Sequence, residues 1–374
     1  MKICIAFLGN YKHDSRITNL SDSLRSEGHH VEIISFDWFG IANDIIEKDA
    51  VVYKLHRGEN RLLFYLDFAI KLLSRLFAVK ADIYFAEDIY TLPFVYWAAR
   101  IRKSKIYYNS RELYPFVGGL TNRPALQKII RLIEKFFIKR VDLVLTTGEL
   151  DSEFLHNYYG ISNTIVIRNI PLYRKPERKI DIRKLYNIPK GNMIVLYQGM
   201  LLNGRGLSYF IKELADLERV TLLILGEGEK KEYFKKLAEE YSVNDKIVWG
   251  GFIEQSDLIN YTSAADAGLC LIENISVSYY HALPNKLFEY IMAGLPVISS
   301  NLPQMRKIVA RYNVGEIVDI EKGESVANII NSWLDDPSRL VNYRDNCLKA
   351  AEELNWQKEY ERVRGRLFGD EKEK

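Results

Sequence analysis

Cysteine is scarce in this chain of 374 residues, and the three present, Cys4, Cys270 and Cys347, stand far apart without metal-ligand spacing. A sparse, odd set excludes a disulfide framework and suits a reducing compartment, so the expected location is the cytoplasm. Nowhere do about 18 uncharged apolar residues follow one another, which excludes an ordinary membrane-spanning helix. Residues 1–8 place Lys2 before an apolar run, but the run is too short for a signal-peptide core and polar residues from Gly9 to Asp14 end it, so it reads as a first strand. No Asp-x-Asp triplet occurs, so the chain lacks the paired carboxylates that commonly hold a divalent cation on a diphosphate, and no metal is expected. No Gly-x-Gly-x-x-Gly follows the first strand, which argues against a dinucleotide oxidoreductase. Net charge is only +3, too mild for a nucleic-acid partner.

What is present points to two domains. The length exceeds one ordinary core, and 48% hydrophobic with 27% charged residues fits a globular protein. Short apolar runs alternate with helix-period stretches, the pattern of parallel sheets covered by helices. Strands are expected at 3–7, 31–35, 51–55, 83–85, 106–108, 143–146 and 165–167. After a polar, Pro-bounded linker at 171–179 they resume at 194–197, 221–225, 247–249, 268–272, 297–299 and 315–318. The expectation is an α/β protein of two doubly wound, Rossmann-like domains, 1–172 and 173–354, facing an interdomain cleft, with ligands beyond the carboxyl ends of the strands. Residues 355–370 have helical composition and lead into a charged 370–374 run.

The most informative stretch is 283–298, LPNKLFEYIMAGLPVI. Pro284 suits a helix start, the free amides that follow make an anion site, and Lys286 adds positive charge there. Asn285 can donate to a phosphate or sugar. Glu289, one turn deeper, can accept hydrogen bonds from the vicinal hydroxyls of a ribose, and Gly294 ends the helix before a buried strand. In outline this is a nucleotide-sugar site.

The segment resembles the donor motif of retaining glycosyltransferases of family four, the group 1 glycosyltransferases, whose fold is GT-B. In that family two glutamates with seven residues between them flank the donor. Glu289 matches the second, on the ribose, whereas position 281, where the first would fall, is His281. The run 197–207, YQGMLLNGRGL, resembles the family's glycine loop, with Gly199 first, Met200 where many members have Arg, and Arg205 standing for the phosphate-binding Lys. Residues 168–171, RNIP, resemble the interdomain turn. Residues 108–115, YNSRELYP, resemble an acceptor-domain loop that often reads Asp-x-His-Glu, with Arg111 at the His position. The resemblance runs in register along nearly the whole chain. It implies a donor site of Gly199, Arg205, Glu227, Ile253, Asn285, Lys286, Leu287 and Glu289, the loops at 226–228 and 250–253 lying near the nucleotide. It further implies that the Trp-led terminal helix crosses back onto the N-terminal domain.

Glycosyl transfer needs a stabilised leaving phosphate, an oriented donor and a held acceptor hydroxyl. Without a metal, charge compensation falls to Arg205, Lys286 and backbone amides. Arg111, Glu112 and His281 are the candidates for catalytic contact. Gly9, Arg16, Glu87 and Asp88 lie at expected strand ends on the acceptor side, with Asp14 in the same loop as Gly9. Residues 1–172 hold 23 basic against 19 acidic residues. Within them, 61–80 and 123–140 read as basic amphipathic helices, a pattern that either packs its apolar face on the sheet with solvated charges or lies on an anionic bilayer. The expected activity is therefore a retaining, metal-independent hexosyltransferase-type reaction, moving a sugar from a nucleotide diphosphate sugar to a glycan or lipid-linked acceptor in surface polysaccharide or glycoconjugate assembly, with peripheral contact to an anionic membrane. The alternatives are a sugar-nucleotide epimerase on the same fold and a non-catalytic sugar-nucleotide-binding or scaffold subunit, the latter suggested by His281 and Met200.

Overall fold

The computed structural model of the chain describes residues 1–58, 60–178 and 180–368; the charged 370–374 run, the last positions of the expected 355–370 helix and Lys179 at the end of the expected linker lie outside the described residues. The chain divides into two compact units, the first taking in residues 1–169 together with the stretch from Glu359 onward, the second residues 170–358.

The first unit carries β1 (Lys2–Ala6), β2 (His30–Asp37), β3 (Ile45–Ile46), β4 (Ala50–Lys54), β5 (Ile83–Ala86), β6 (Lys105–Ser110), β7 (Leu143–Thr146) and β8 (Thr164–Val166). They form one sheet in the order β3-β4-β2-β1-β5-β6-β7-β8, parallel throughout except for the antiparallel pairing of β3 with β4. Every longer strand found here was expected within a residue or two; the two-residue β3 was not, being too short to show a period. β1 and β5 are wholly apolar and buried beyond their first residues because helices cover both faces of a parallel sheet. On one face Cys4, Tyr84 and Tyr108 join a core with Phe68, Leu72 and Leu76 of the helix Arg61–Ala78 and Phe137 of the helix Pro124–Ile138. From Glu359 on, the helix Trp356–Phe368 belongs to this unit. Tyr360 donates to the Glu27 carboxylate at 3.0 Å, Arg366 to the Thr164 carbonyl at 3.1 Å, and the Tyr107 hydroxyl to the Leu367 carbonyl.

The second unit carries β9 (Met193–Gln198), β10 (Val220–Leu225), β11 (Ile247–Gly251), β12 (Ala267–Cys270), β13 (Val297–Ser300) and β14 (Gly315–Val318), all parallel in the order β11-β10-β9-β12-β13-β14. The chain winds outward in both directions from β9 and β12, so the switch point of this sheet lies between their carboxyl ends, where ligands of such folds bind. The stretch read as a linker is strapped to this unit. The Pro171 carbonyl accepts from the Trp356 amide at 2.9 Å, Asn260 Oδ1 from the Glu177 amide at 2.9 Å, and Arg174 donates to the carbonyls of Gln255 and Ser256. Polar, Pro-bounded composition marks irregular backbone here, and that backbone finds its partners on the second sheet's helices.

Candidate functional site

In the second unit the candidate site is assembled by the segments that leave β9, β10 and β12. After Gln198 the chain turns through Gly199 to Gly206. Gly206 has φ +69°, and a Cβ there would lie 2.1 Å from Leu271 Cβ, so both its conformation and its space require glycine. The Gly206 amide donates to Glu273 Oε1 at 3.1 Å and the Gly204 carbonyl accepts from the Glu273 amide at 3.0 Å, which pins the turn carrying Arg205 to the loop after β12. Arg205 makes no hydrogen bond or ion pair among the described residues; its guanidinium lies 5.3 Å from the Tyr279 ring centroid. The loop after β10 lies against the glycine turn, Leu201 donating to the Glu227 carbonyl at 3.0 Å. The Glu227 side chain is exposed and paired with Lys231 at 2.7 Å.

The helix Asn285–Met292 begins at the same place. Pro284 is its N-cap, with no side-chain cap bond, and Asn285 is exposed in the first turn. The first-turn amides ahead of Leu287 therefore have no intrahelical partner, as an anion site requires. Leu287 is a core side chain, and its amide donates to the Pro284 carbonyl at 3.1 Å. Lys286 is 8% exposed; its ammonium sits 4.1 Å from the Tyr197 ring centroid and finds no hydrogen-bond acceptor among the described residues. Burial pushes this ammonium down to about 8, and the charge of Arg205 adds to the effect. A buried cation without an acceptor is costly unless an anion completes it.

Glu289 lies one turn further in, held on both oxygens: Oε2 accepts from Gln198 Nε2 at 2.5 Å and Oε1 from Gln255 Nε2 at 3.0 Å. Gln198 is itself fixed, its Oε1 accepting from the Thr262 hydroxyl at 2.7 Å. The sequence reading missed Gln198, Gln255 and Tyr197. Their one signal was position, since Tyr197 and Gln198 close a strand that runs into a glycine turn. Phe252 is 63% exposed, whereas Ile253 packs part-buried on the core. His281 follows the short helix Val277–Tyr280, half-buried, its carbonyl accepting from the Gln304 side-chain Nε2.

In the first unit the charged residues gather at the carboxyl ends of neighbouring β1, β5 and β6. They form a closed ion cluster. Arg111 bridges Asp14 and the wholly buried Glu87, at 2.7 Å to Glu87 Oε2, and lies over the Phe7 ring at 4.5 Å. Glu87 Oε2 also accepts from Asn109 at 2.9 Å, and buried Arg16 donates to Asn109 Oδ1 at 3.1 Å. Burial alone would raise the Asp14 carboxyl, but Arg111 and the Ile17 amide outweigh it and hold the group below the usual carboxylate range. Asp88 is occupied by the amides of Leu8 and Thr91, both at 2.7 Å, and burial pushes its carboxyl up. Opposite charges brought together at adjacent strand ends neutralise one another rather than remain solvated. Gly9 supports the same loop, its carbonyl accepting from the Phe36 amide at 3.0 Å, while Glu112 is exposed. Among the described residues no three His, Cys, Asp or Glu side chains come together as a metal site, and no helix is long and apolar enough to cross a membrane.

Comparison with known proteins agrees with this architecture. Residues 178–354 match the family described as glycosyl transferases group 1, and residues 15–170 match glycosyltransferase family 4. The chain belongs to the group 1, family four glycosyltransferases, and its two doubly wound units are the Rossmann-like domains of the GT-B fold. Among curated proteins it is 22% identical to the chitobiosyldiphosphodolichol beta-mannosyltransferase of Candida glabrata over 95% of this chain and 88% of that one. It is 26% identical to an uncharacterized glycosyltransferase of Methanocaldococcus jannaschii over 42% of this chain, which spans 40% of that relative's length. Among solved structures, Anabaena HepE in complex with UDP-glucose superposes with a TM-score of 0.76 at 15% identity, over 99% of this chain and 100% of that one.

Proposed function

We propose that the chain transfers a sugar from a nucleotide diphosphate sugar, bound at the switch point of the second unit, to a lipid-linked or glycan acceptor, with retention of anomeric configuration and without a metal. The observation that carries this reading is Lys286, a buried ammonium with no acceptor among the described residues, in the uncapped first turn of the helix Asn285–Met292. A diphosphate placed there would meet Lys286, Arg205 and the first-turn amides, and Glu289 would stand one turn away for the ribose. HepE, of the same fold, was crystallised with UDP-glucose, and the Candida relative's name contains a diphosphodolichol-linked sugar.

In this reading the anomeric carbon to phosphate oxygen bond breaks as the acceptor oxygen bonds to the same face of the sugar. The acceptor proton passes to the departing phosphate oxygen, so no protein nucleophile is required. Lys286 and Arg205 stabilise the charge that develops on the diphosphate. His281, Arg111 and Glu112 are the candidates for sugar or acceptor contact.

The test is calorimetric titration of nucleoside diphosphates and their sugars into wild type and Glu289→Ala, with NMR of the product anomer and turnover in a chelator. Binding of one base class that weakens in the variant, a retained anomer and unchanged rates in chelator are expected. No nucleotide binding overturns the donor site, an inverted anomer overturns retention, and activity restored only by added Mg²⁺ or Mn²⁺ overturns metal independence.

A further inference from the structure

Three helices of the first unit, Arg61–Ala78, Leu92–Arg102 and Pro124–Ile138, each present a second apolar stripe that nothing among the described residues covers. In Arg61–Ala78 the inward residues are Phe68, Leu72 and Leu76. Leu62, Leu66, Ile70 and Phe77, at helical spacing on a separate face, point to solvent, Leu62 at 75% exposure. In Leu92–Arg102 the outward residues are Trp97, 54% exposed, and Ile101, 67% exposed. In Pro124–Ile138 they are Ile129, Leu132, Ile133 and Phe136. The helices are neighbours: Tyr65 stacks on Tyr90 just before the second helix, at 6.2 Å, and Tyr96 meets Phe136 edge-on at 6.4 Å. The stripes therefore lie side by side on one helical layer. An apolar helix face ordinarily turns to a core, and patches of this extent mark an interaction surface.

Charge decides the partner. Lys128, Lys135 and Lys139 line one flank of the stripe on the third helix, with Arg100 on the second and Arg61 at the head of the first, all exposed. The only acids in these helices already have partners: Asp67, part-exposed, is paired with Lys71 at 3.1 Å, and Glu134 is buried and accepts from two tyrosine hydroxyls. A second copy of the chain would set lysine rows against each other with no acid to answer them. An anionic bilayer accepts both features at once. Leucine, isoleucine and aromatic side chains enter the acyl boundary, Trp97 sits at the headgroup level, and lysine stems extend to lipid phosphates.

We infer that this three-helix face docks on an anionic lipid surface and holds the first unit where a membrane-borne acceptor is presented. The acceptor's identity rests on the function proposed above; the docking does not. The test is flotation of the full chain with phosphatidylcholine vesicles with and without phosphatidylglycerol, at low and high salt. Wild type, the triple variant Lys128→Glu/Lys135→Glu/Lys139→Glu and the double variant Leu62→Ser/Leu66→Ser are compared, all changed positions being exposed so that folding is spared. Wild type is expected to float only with anionic vesicles and less at high salt, the charge variant to partition at least about tenfold more weakly, and the serine variant to lose binding even at low salt. All should keep nucleotide binding by calorimetry, so that failure of docking and failure of the donor site are read separately. No flotation at low salt, or flotation indifferent to both variants, overturns the inference. So does a concentration-dependent dimer in sedimentation that the serine variant abolishes, which would assign the face to a second copy.

Discussion

Gln198 holds Glu289 with its amide nitrogen while its own carbonyl oxygen is held by the hydroxyl of Thr262, so the carboxylate assigned to the ribose is oriented from the end of a sheet strand. Replacing Gln198 by Leu removes the charge-assisted bond and leaves Glu289 on Gln255 alone. Thr262 retains its bond to the Leu258 carbonyl at 2.8 Å, so the fold should persist. Loss of a hydrogen bond to a charged group corresponds to about 1.5–3 kcal/mol, and nucleotide affinity in Gln198→Leu should fall by at least about tenfold in calorimetry. Unchanged affinity would mean that Glu289 needs no such orientation.

Lys286 gives opposite pH signatures to stability and to binding. Burial lowers its folded-state value from 10.5 to about 8, so between those values the unfolded chain binds more protons and stability rises as pH rises. A diphosphate needs the ammonium charged, so its affinity should weaken as pH rises above about 8, by up to about tenfold per unit. Lys286→Met should raise the denaturation midpoint at pH 7, weaken diphosphate binding and flatten the dependence of affinity on pH above 8. Calorimetry and denaturant titration at pH 7, 8 and 9 separate the two effects.

Glu134 makes the first unit sensitive to pH in the other sense. It is buried, accepting from Tyr108 at 2.8 Å and Tyr159 at 2.7 Å, and burial raises its carboxyl from 4.5 to about 7. The folded state binds more protons between those values, so this contribution is fully present below about 4.5 and is lost as pH rises to about 7. A shift of this size corresponds to something on the order of 3 kcal/mol. Glu134→Gln should be more stable than wild type at pH 8 and show a flatter stability profile from pH 5 to 8 in urea titrations. A variant less stable at pH 8 would show that the ionised carboxylate is the favoured partner of the tyrosines.

Gly206→Ala probes the glycine turn. An added methyl must adopt φ +69° and clear Leu271 Cβ at 2.1 Å, so the turn that carries Arg205 has to move. A loss of about 1–3 kcal/mol in stability is expected, with weaker diphosphate binding than that loss alone explains, because Arg205 is displaced. Folding and binding equal to wild type would show that the turn does not fix Arg205.

How much of this was legible in sequence depends on the range over which each feature is decided. β9, β12 and the Asn285–Met292 helix announce themselves through local period, proline and glycine, and so does the switch point that gathers Arg205, Lys286 and Glu289. What stayed hidden was decided by distant partners. Asp88 looks like a rim acid until its bond to the Leu8 amide, 80 residues away, is seen. The pairing of Arg111 with Asp14 joins positions 97 apart, and that of Gln198 with Glu289 positions 91 apart. The outward stripe of Arg61–Ala78 was visible as excess apolar residues, but composition alone does not say which of two apolar faces the sheet takes.

The helix Trp356–Phe368 has a consequence for the order in which the protein is made. Tyr360 meets Glu27 across a sequence separation of 333, with the whole second unit encoded between them. Although the first unit leaves the ribosome first, one helix of its cover is missing until the second has been synthesised. During that interval the sheet surface around Tyr107 stays uncovered, a nascent species open to chaperones and to misassociation. Completion of the first unit thus signals that the second has been translated.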